Sequence, residues 1–209
     1  MIRIVIADDH AIVREGLKRI VSSIADMEVA GEAGNGTEVM QRVRELAFDV
    51  LVLDLSMPGR SGMELIKLVR GEKPQLRILV LSMHQESQYA VRAIKNGASG
   101  YLTKESAPGQ LEQAIRKVAS GGAFISAEVA EQLALGAMPG SEAVPHEGLS
   151  NREFEVLQLL VAGVSLTGTR LNLSVKIVST HKTNLMPKMG LQNQSELIRY
   201  AIKHGLAEP

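Results

Sequence analysis

The chain has no cysteine and no tryptophan, and only three tyrosines and three phenylalanines in 209 residues. The missing thiols exclude disulfides, thiolate metal sites and cysteine nucleophiles. With so few aromatics, the core has to be assembled from Val, Leu, Ile, Met and Ala. No apolar run approaches the roughly 20 residues that span a bilayer. The opening MIRIVIADDH has a short apolar run stopped by two aspartates, unlike a signal peptide. A soluble, cytoplasmic protein is expected. Net charge is also lacking, but the balance is uneven. Residues 1–120 carry 16 Lys/Arg against 15 Asp/Glu, residues 121–148 carry four Glu and no Lys or Arg, and residues 149–209 carry seven Lys/Arg against four Glu. A basic end beyond an acidic connector is compatible with a polyanion partner.

What is present is organised as two patterned regions and a connector. Strand candidates lie at 2–7, 27–33, 49–54, 77–82 and 99–103, separated by helix-period segments near 10–24, 36–46, 61–71, 86–96 and 107–119. Five β-α repeats with nearly continuous apolar strands predict a parallel sheet covered on both faces, an open doubly wound α/β domain over 1–120. Residues 121–148 read as a linker. Ser126 starts a short helix there, and GAMPGSEAVPHEG is rich in Gly, Pro and small residues. From Leu149 helical patterning resumes. Ser150 and Glu153 form a capping box, and Phe154, Leu157, Leu160 and Val161 lie on one face. A last helix runs from about Ser195 to His204 and stops at Gly205.

In an open α/β sheet, chemistry collects at the carboxyl ends of the strands. Those ends carry Asp8 and Asp9, Asp54, Ser82 and, just after the fifth strand, Lys104. Three carboxylates brought together repel and call for a cation, and hard oxygen ligands suit Mg²⁺. Lys104 supplies a point charge suited to phosphate oxygens. His10 beside them reads as a helix-start residue rather than a metal ligand, and Met57 and Met83 as packing residues.

The segments IVIADDH, LVLDLSMPGRSGMEL, VLSMH and GASGYLTKE, in this order and spacing, resemble the receiver domain of two-component response regulators. The whole chain resembles their LuxR-type (NarL/FixJ) subfamily. The resemblance implies a flavodoxin-like receiver with strand order 2-1-3-4-5, followed by a small all-α helix-turn-helix domain over 149–209. It implies that Asp54 accepts a phosphoryl group from a sensor histidine kinase. Asp9, Asp54 and the backbone carbonyl of Ser56 would hold Mg²⁺, with Asp8 acting through water. Ser82 and Lys104 would bind the phosphoryl group, and Tyr101 would change rotamer. Pro58 and Gly62 shape the loop after Asp54.

LSNREFEVLQLLVAG and the stretch from Leu171 to Leu206 resemble the LuxR-type DNA-binding domain. A recognition helix is expected from Val175 to about Met189, with Val178 and Leu185 inward. Lys176, Ser179, Thr180, Lys182, Thr183 and Asn184 would face double-stranded DNA. Homodimerisation on phosphorylation is expected, with Ile198, Tyr200, Ala201 and Ile202 as candidate surface, while Ile198 and Ile202 read equally well as core packing. The supporting helix departs from the family pattern. Where that pattern runs Ser-x-x-Glu-Ile-Ala-x-x-Leu, this chain reads Ser165-Leu-Thr-Gly-Thr-Arg-Leu171, two residues shorter near 167–169. Gly168 costs about 1 kcal/mol in a helix interior, and the missing buried isoleucine roughly 2 kcal/mol more. Ile177 stands where the family has threonine, and Pro187 is expected to kink or stop the recognition helix. A shortened or disordered supporting helix and a less stable C-terminal domain follow.

Three functions compete. The first is a DNA-binding transcriptional regulator switched at Asp54, not an enzyme beyond slow self-dephosphorylation. The second is a receiver acting through protein contacts with an impaired DNA-binding domain. The third is a Mg²⁺-dependent phosphatase of the haloacid dehalogenase class. That class carries a second aspartate two residues after the nucleophile, where this chain has Ser56, so the third reading falls.

Overall fold

The computed structural model describes residues 1–57, 62–83, 87–136, 144–161, 175–204 and 206. The chain divides into two compact units, Met1–Gln132 and Leu133–Pro209.

In the first unit, five parallel strands form one sheet: β1 (Ile2–Ala7), β2 (Met27–Ala33), β3 (Val50–Asp54), β4 (Arg77–Ser82) and β5 (Gly100–Thr103), in the order β2-β1-β3-β4-β5. The interleaved helices are α1 (Ala11–Ser22), α2 (Gly36–Glu45), α3 (Gly62–Glu72), α4 (Ser87–Lys95) and α5 (Ala107–Ala119). Side chains alternate across a strand. Ile4 and Ile6 of β1, Val50 and Val52 of β3, and Leu79 and Leu81 of β4 therefore face one way, onto Leu17 and Val21 of α1 and Leu111, Ile115 and Val118 of α5. Their neighbours Val5, Leu51, Leu53 and Val80 are buried as well, which is why these strands read as continuous apolar runs. The expected doubly wound fold and its strand order are what the structure contains.

Beyond β5, residues up to Ser126 lead into α6 (Ala127–Gly136), whose first turn is capped by the Ser126 hydroxyl, 3.2 Å from the Val129 amide.

The second unit has a 3-10 turn at Pro145–Gly148 followed by α7 (Asn151–Val161), α8 (Val175–Lys188) and α9 (Gln194–Lys203). Both oxygens of the expected capping box are engaged. The Ser150 amide donates to Glu153 Oε2 at 2.8 Å, and the Glu153 amide donates to Ser150 Oγ at 3.3 Å. Phe154, Val156, Leu157 and Leu160 of α7, Leu185 of α8, Met189, and Leu197 and Ala201 of α9 are buried, and α7 packs against both α8 and α9. Pro187 does not end α8 before Lys188. It sits in the last turn, where a missing N–H removes only one bond. The helix closes through Met189 N–H to Leu185 O at 2.9 Å and a left-handed Gly190 at φ +65°.

In α9, the inward positions are Leu197 and Ala201, four residues apart. Ala201 is thus a core residue rather than part of an open dimer face, while Ile198 and Tyr200 are half-buried and Ile202 is 41% exposed. The helix also starts one residue earlier than expected, because Asn193 caps it, accepting from the Glu196 amide at 3.0 Å. The supporting-helix segment Ser165–Leu171, with Gly168, lies outside the described residues, as do Pro58 and Gly205.

Candidate functional site

Parallel strands place all their carboxyl ends on one edge of the sheet. There β1 runs into Asp8, β3 ends in Asp54, β4 ends in Ser82, and β5 is followed by Lys104. The Lys104 amide donates to the Ser82 carbonyl at 2.8 Å, which fixes the lysine beside β4. Asp8, Asp54 and Ser82 are buried, whereas Asp9 and Ser56 are exposed.

Each buried aspartate divides its oxygens between local backbone and the lysine. Asp54 Oδ1 accepts from the Ser56 amide at 3.0 Å, and Oδ2 accepts from Lys104 Nζ at 2.8 Å. Asp8 Oδ1 accepts from the His10 amide at 2.8 Å, while Oδ2 lies 2.6 Å from Lys104 Nζ. This last contact is an ion contact without hydrogen-bond alignment, leaving a buried carboxylate oxygen with no hydrogen bond. One ammonium is therefore shared by two buried carboxylates.

That sharing sets the protonation energetics. Burial pushes the Asp54 carboxyl above its ordinary value, and the nearby Asp8 charge adds to it. Lys104 and the Ser56 amide pull the other way without cancelling the rise. Burial works against the Lys104 ammonium, but Asp54 and Asp8 together outweigh it and hold the lysine above its usual range. Among the described residues the lysine has two anions, whereas each anion has a share of one cation.

Asp8, Asp9, Asp54 and His10 each present a ligand atom, all within 4.8 Å of one another. Three carboxylates against one ammonium leave a surplus of two negative charges. Hard oxygen donors with that surplus fit a divalent cation such as Mg²⁺. His10 occupies the cap position of α1 without a side-chain cap bond. Its Nδ1 instead lies 2.8 Å from Asp9 Oδ1 and 3.3 Å from Asp8 Oδ1.

Tyr101 is buried on β5, and Met57 is buried beside the loop after Asp54. Met83 departs from the packing role expected of it. It is 71% exposed, because the chain has left the sheet at Ser82 and none of the described residues covers it. Gly62 is required by close approach. A Cβ there would fall 2.5 Å from Leu55 Cα and 2.6 Å from Leu55 O, so only glycine lets α3 start against the Asp54 loop. Sequence reasoning missed Arg14, whose Nη1 donates to the Asp8 carbonyl at 2.7 Å and so steadies the turn that carries Asp8. Its place four residues after His10, one helical turn into α1, was the available signal.

In the second unit, Thr180, Thr183 and Asn184 are exposed on α8 and Lys182 is half-exposed, with Nζ 3.4 Å from Gln194 Oε1. Leu185 is fully buried on the opposite side. Lys176, Ile177, Val178 and Ser179 belong to the helical backbone, and their side chains lie outside the described residues.

Comparison with known proteins agrees with both halves. Residues 4–116 match the response regulator receiver domain, and residues 147–201 match the bacterial regulatory proteins of the luxR family. Response regulator UvrY of Escherichia coli is 34% identical over 209 residues, covering 99% of this chain and 96% of that protein. Oxygen regulatory protein NreC of Staphylococcus aureus is 38% identical over 215 residues, covering 99% of each. Among solved structures, RcsB from Salmonella enterica serovar Typhimurium, bound to a promoter in the presence of phosphomimetic BeF3-, matches with TM-score 0.67 and 30% identity over 95% of this chain and 97% of that one. A sheet edge that gathers two aspartates and a lysine, joined in one chain to a luxR-family region, thus has full-length relatives, and the protein belongs to the response regulators that combine a receiver domain with a LuxR-type DNA-binding domain.

Proposed function

We propose that the chain takes a phosphoryl group on Asp54 from a sensor histidine kinase and regulates transcription by sequence-specific binding to double-stranded DNA. The observation that carries this is the buried Asp54, held by one oxygen on the Ser56 amide and by the other on Lys104, with Asp8 and Asp9 alongside. The receiver spans 1–120 in this reading, a linker 121–148 and the DNA-binding domain 149–209.

In the transfer, an Asp54 carboxylate oxygen forms a bond to phosphorus as the phosphorus–nitrogen bond of the kinase phosphohistidine breaks, and the electron pair returns to the imidazole. Such transfers depend on positioning and charge neutralisation. The Ser56 amide orients the carboxylate, and Lys104 neutralises phosphoryl oxygens. The buried Ser82 hydroxyl bonds the new group, and Tyr101 changes rotamer with the β4–α4 segment. Asp9, Asp54, the Ser56 carbonyl and, through water, Asp8 would hold Mg²⁺, which would supply further neutralisation of phosphoryl charge. The acyl phosphate decays by slow self-dephosphorylation, which resets the switch. The protein works in the cytoplasm.

On the output side, α8 enters the major groove with Lys176, Ser179, Thr180, Lys182, Thr183 and Asn184 toward phosphates and base edges. A phosphorylated homodimer brings two such helices to two half-sites. Relatives support this role, since RcsB has been solved bound to promoter DNA. The shortened segment before Leu171 favours one alternative, an intact switch acting through protein contacts with impaired DNA binding. Binding of the full-length protein to genomic DNA fragments across a salt series, with and without acetyl phosphate and Mg²⁺, separates the two. Selective binding that tightens on phosphorylation supports the regulator. Phosphorylation at Asp54 without selective binding supports the alternative.

A further inference from the structure

β5 is the outermost strand of the sheet, yet its edge is not bare. After α5 the chain turns back through Gly121, at φ +93°, and the Gly122 amide donates to the Lys117 carbonyl at 2.9 Å. The following residues run alongside β5. The Tyr101 amide donates to the Phe124 carbonyl at 2.8 Å, the Phe124 amide donates to the Ser99 carbonyl at 3.2 Å, and Gly100 and Phe124 form a parallel bridge. The Phe124 ring packs against the apolar core below α5, with the Lys117 ammonium 5.9 Å from its centroid.

The strap lies close against Gly100. A Cβ there would lie 3.0 Å from the Phe124 carbonyl oxygen, 3.1 Å from Phe124 Cβ and 3.0 Å from Leu79 Cδ1. Ser126, two residues past Phe124, caps α6, and the first compact unit ends within that helix. At its other end, β5 is tied to the Asp54 site. Thr103 pairs with Ser82, and Lys104 reaches both Asp54 and Asp8. A strand of four residues, about 13 Å long, therefore joins the site to the strap.

We propose that the 120–126 strap is a transmission element: it carries a change of charge at Asp54 along β5 to α6. The inference rests on Asp54 being the phosphoacceptor. A phosphoryl group adds nearly two negative charges beside Lys104 and redraws the lysine's division between Asp54 and Asp8. Lys104 directly follows β5, so a change in the pull on its ammonium acts at the end of that strand. The strap is held to β5 by two backbone bonds, and a small displacement of Tyr101 and Ser99 breaks them. The two arrangements, strap bonded and strap released, form the two-state element whose balance the charge shifts. A strap that merely covers a sheet edge would stay closed in both forms.

Hydrogen exchange of the full-length protein, with and without acetyl phosphate and Mg²⁺, reads this directly at the Tyr101 and Phe124 amides and across 124–130. We expect exchange there to rise about tenfold or more on phosphorylation. In Gly100→Ala the added methyl crowds Phe124 and shifts the strap towards release. Exchange is then high in both forms, while Asp54 is phosphorylated within about twofold of the wild-type rate, because the added methyl is remote from the charges that govern transfer. Phe124→Ala, which keeps Gly100 and loosens the strap by removing its packing, gives the same pattern and guards against a folding defect in the first variant. Phosphorylation at Asp54 with unchanged exchange at these amides overturns the inference, as does a Gly100→Ala strap that still responds. A wild-type protein that takes no phosphoryl group at Asp54 overturns the reading of the site itself, and the inference with it.

Discussion

Both units bury a carboxylate and pair it with a lysine, and the two carboxylates are driven in opposite directions. Asp54 lies at the end of a central strand, shares its lysine with Asp8, and is pushed above its ordinary value of 3.8 by burial. Glu153 lies in the first turn of α7. Burial opposes its charge too, but Lys188 at 2.8 Å and the Ser150 amide and hydroxyl outweigh that and bring it below 4.5. The number of partners decides. A buried carboxylate with donors to spare stabilises its unit, whereas one that shares a single cation is held at a cost and is available for chemistry.

The largest effect should come from Asp54→Asn. Phosphoryl incorporation from acetyl phosphate should fall to background, while the first unit melts no lower than wild type, since a neutral amide is cheaper to bury than a carboxylate raised by desolvation. A clear loss of stability would put Asp54 in the same class as Glu153 and break the contrast. Next comes Lys104→Met, which leaves two buried carboxylates without their cation. Urea unfolding should show the first unit weakened by about 3–5 kcal/mol, with part recovered on adding Mg²⁺. Glu153→Ala should cost the second unit about 1–2 kcal/mol through the lost cap, without altering the first.

The smallest effect sharpens the comparison through pH. Glu153 has a folded value below its unfolded one, so its stabilisation is full above about pH 4.5 and is lost as pH falls through the lower folded value. Asp54 has a folded value above its unfolded one, so in a chelator its unit loses stability as pH rises from about 3.8 through that folded value. Melting temperatures of the two units should therefore show contributions of opposite slope in mildly acidic buffer. Glu153→Gln and Asp54→Asn should each remove one of them. The same scans test whether the second unit melts first, as the shortened segment near Gly168 leads one to expect; a single transition for both units would count against it.

Much of this was readable from residues. IRIVIA, VLVLD and RILVLS are long enough and apolar enough to be strands covered on both faces, and the polar residues at their ends had to collect on one edge. Ser150 with Glu153 announced a capped helix by spacing alone. What could not be read was how side chains divide their partners. Nothing in the order of residues says that Lys104 is shared by Asp8 and Asp54 while Asp9 stays exposed with His10, or that Arg14 steadies the Asp8 carbonyl. Met83 and Ala201 failed for a related reason. Apolar character does not say which side of a chain end or helix faces the core, and one residue of rotation reverses the answer.

Local pattern thus determined the secondary structure, the parallel sheet and the list of residues at its carboxyl edge, because periodicity and apolar length act between near neighbours. Tertiary structure alone decided the sharing of one ammonium between carboxylates 46 positions apart, the need for glycine at 62 and the close approach of the chain at Gly100. It also decided the attachment of Phe124 to β5. These depend on the distance between segments brought together by folding, and no local propensity encodes that distance.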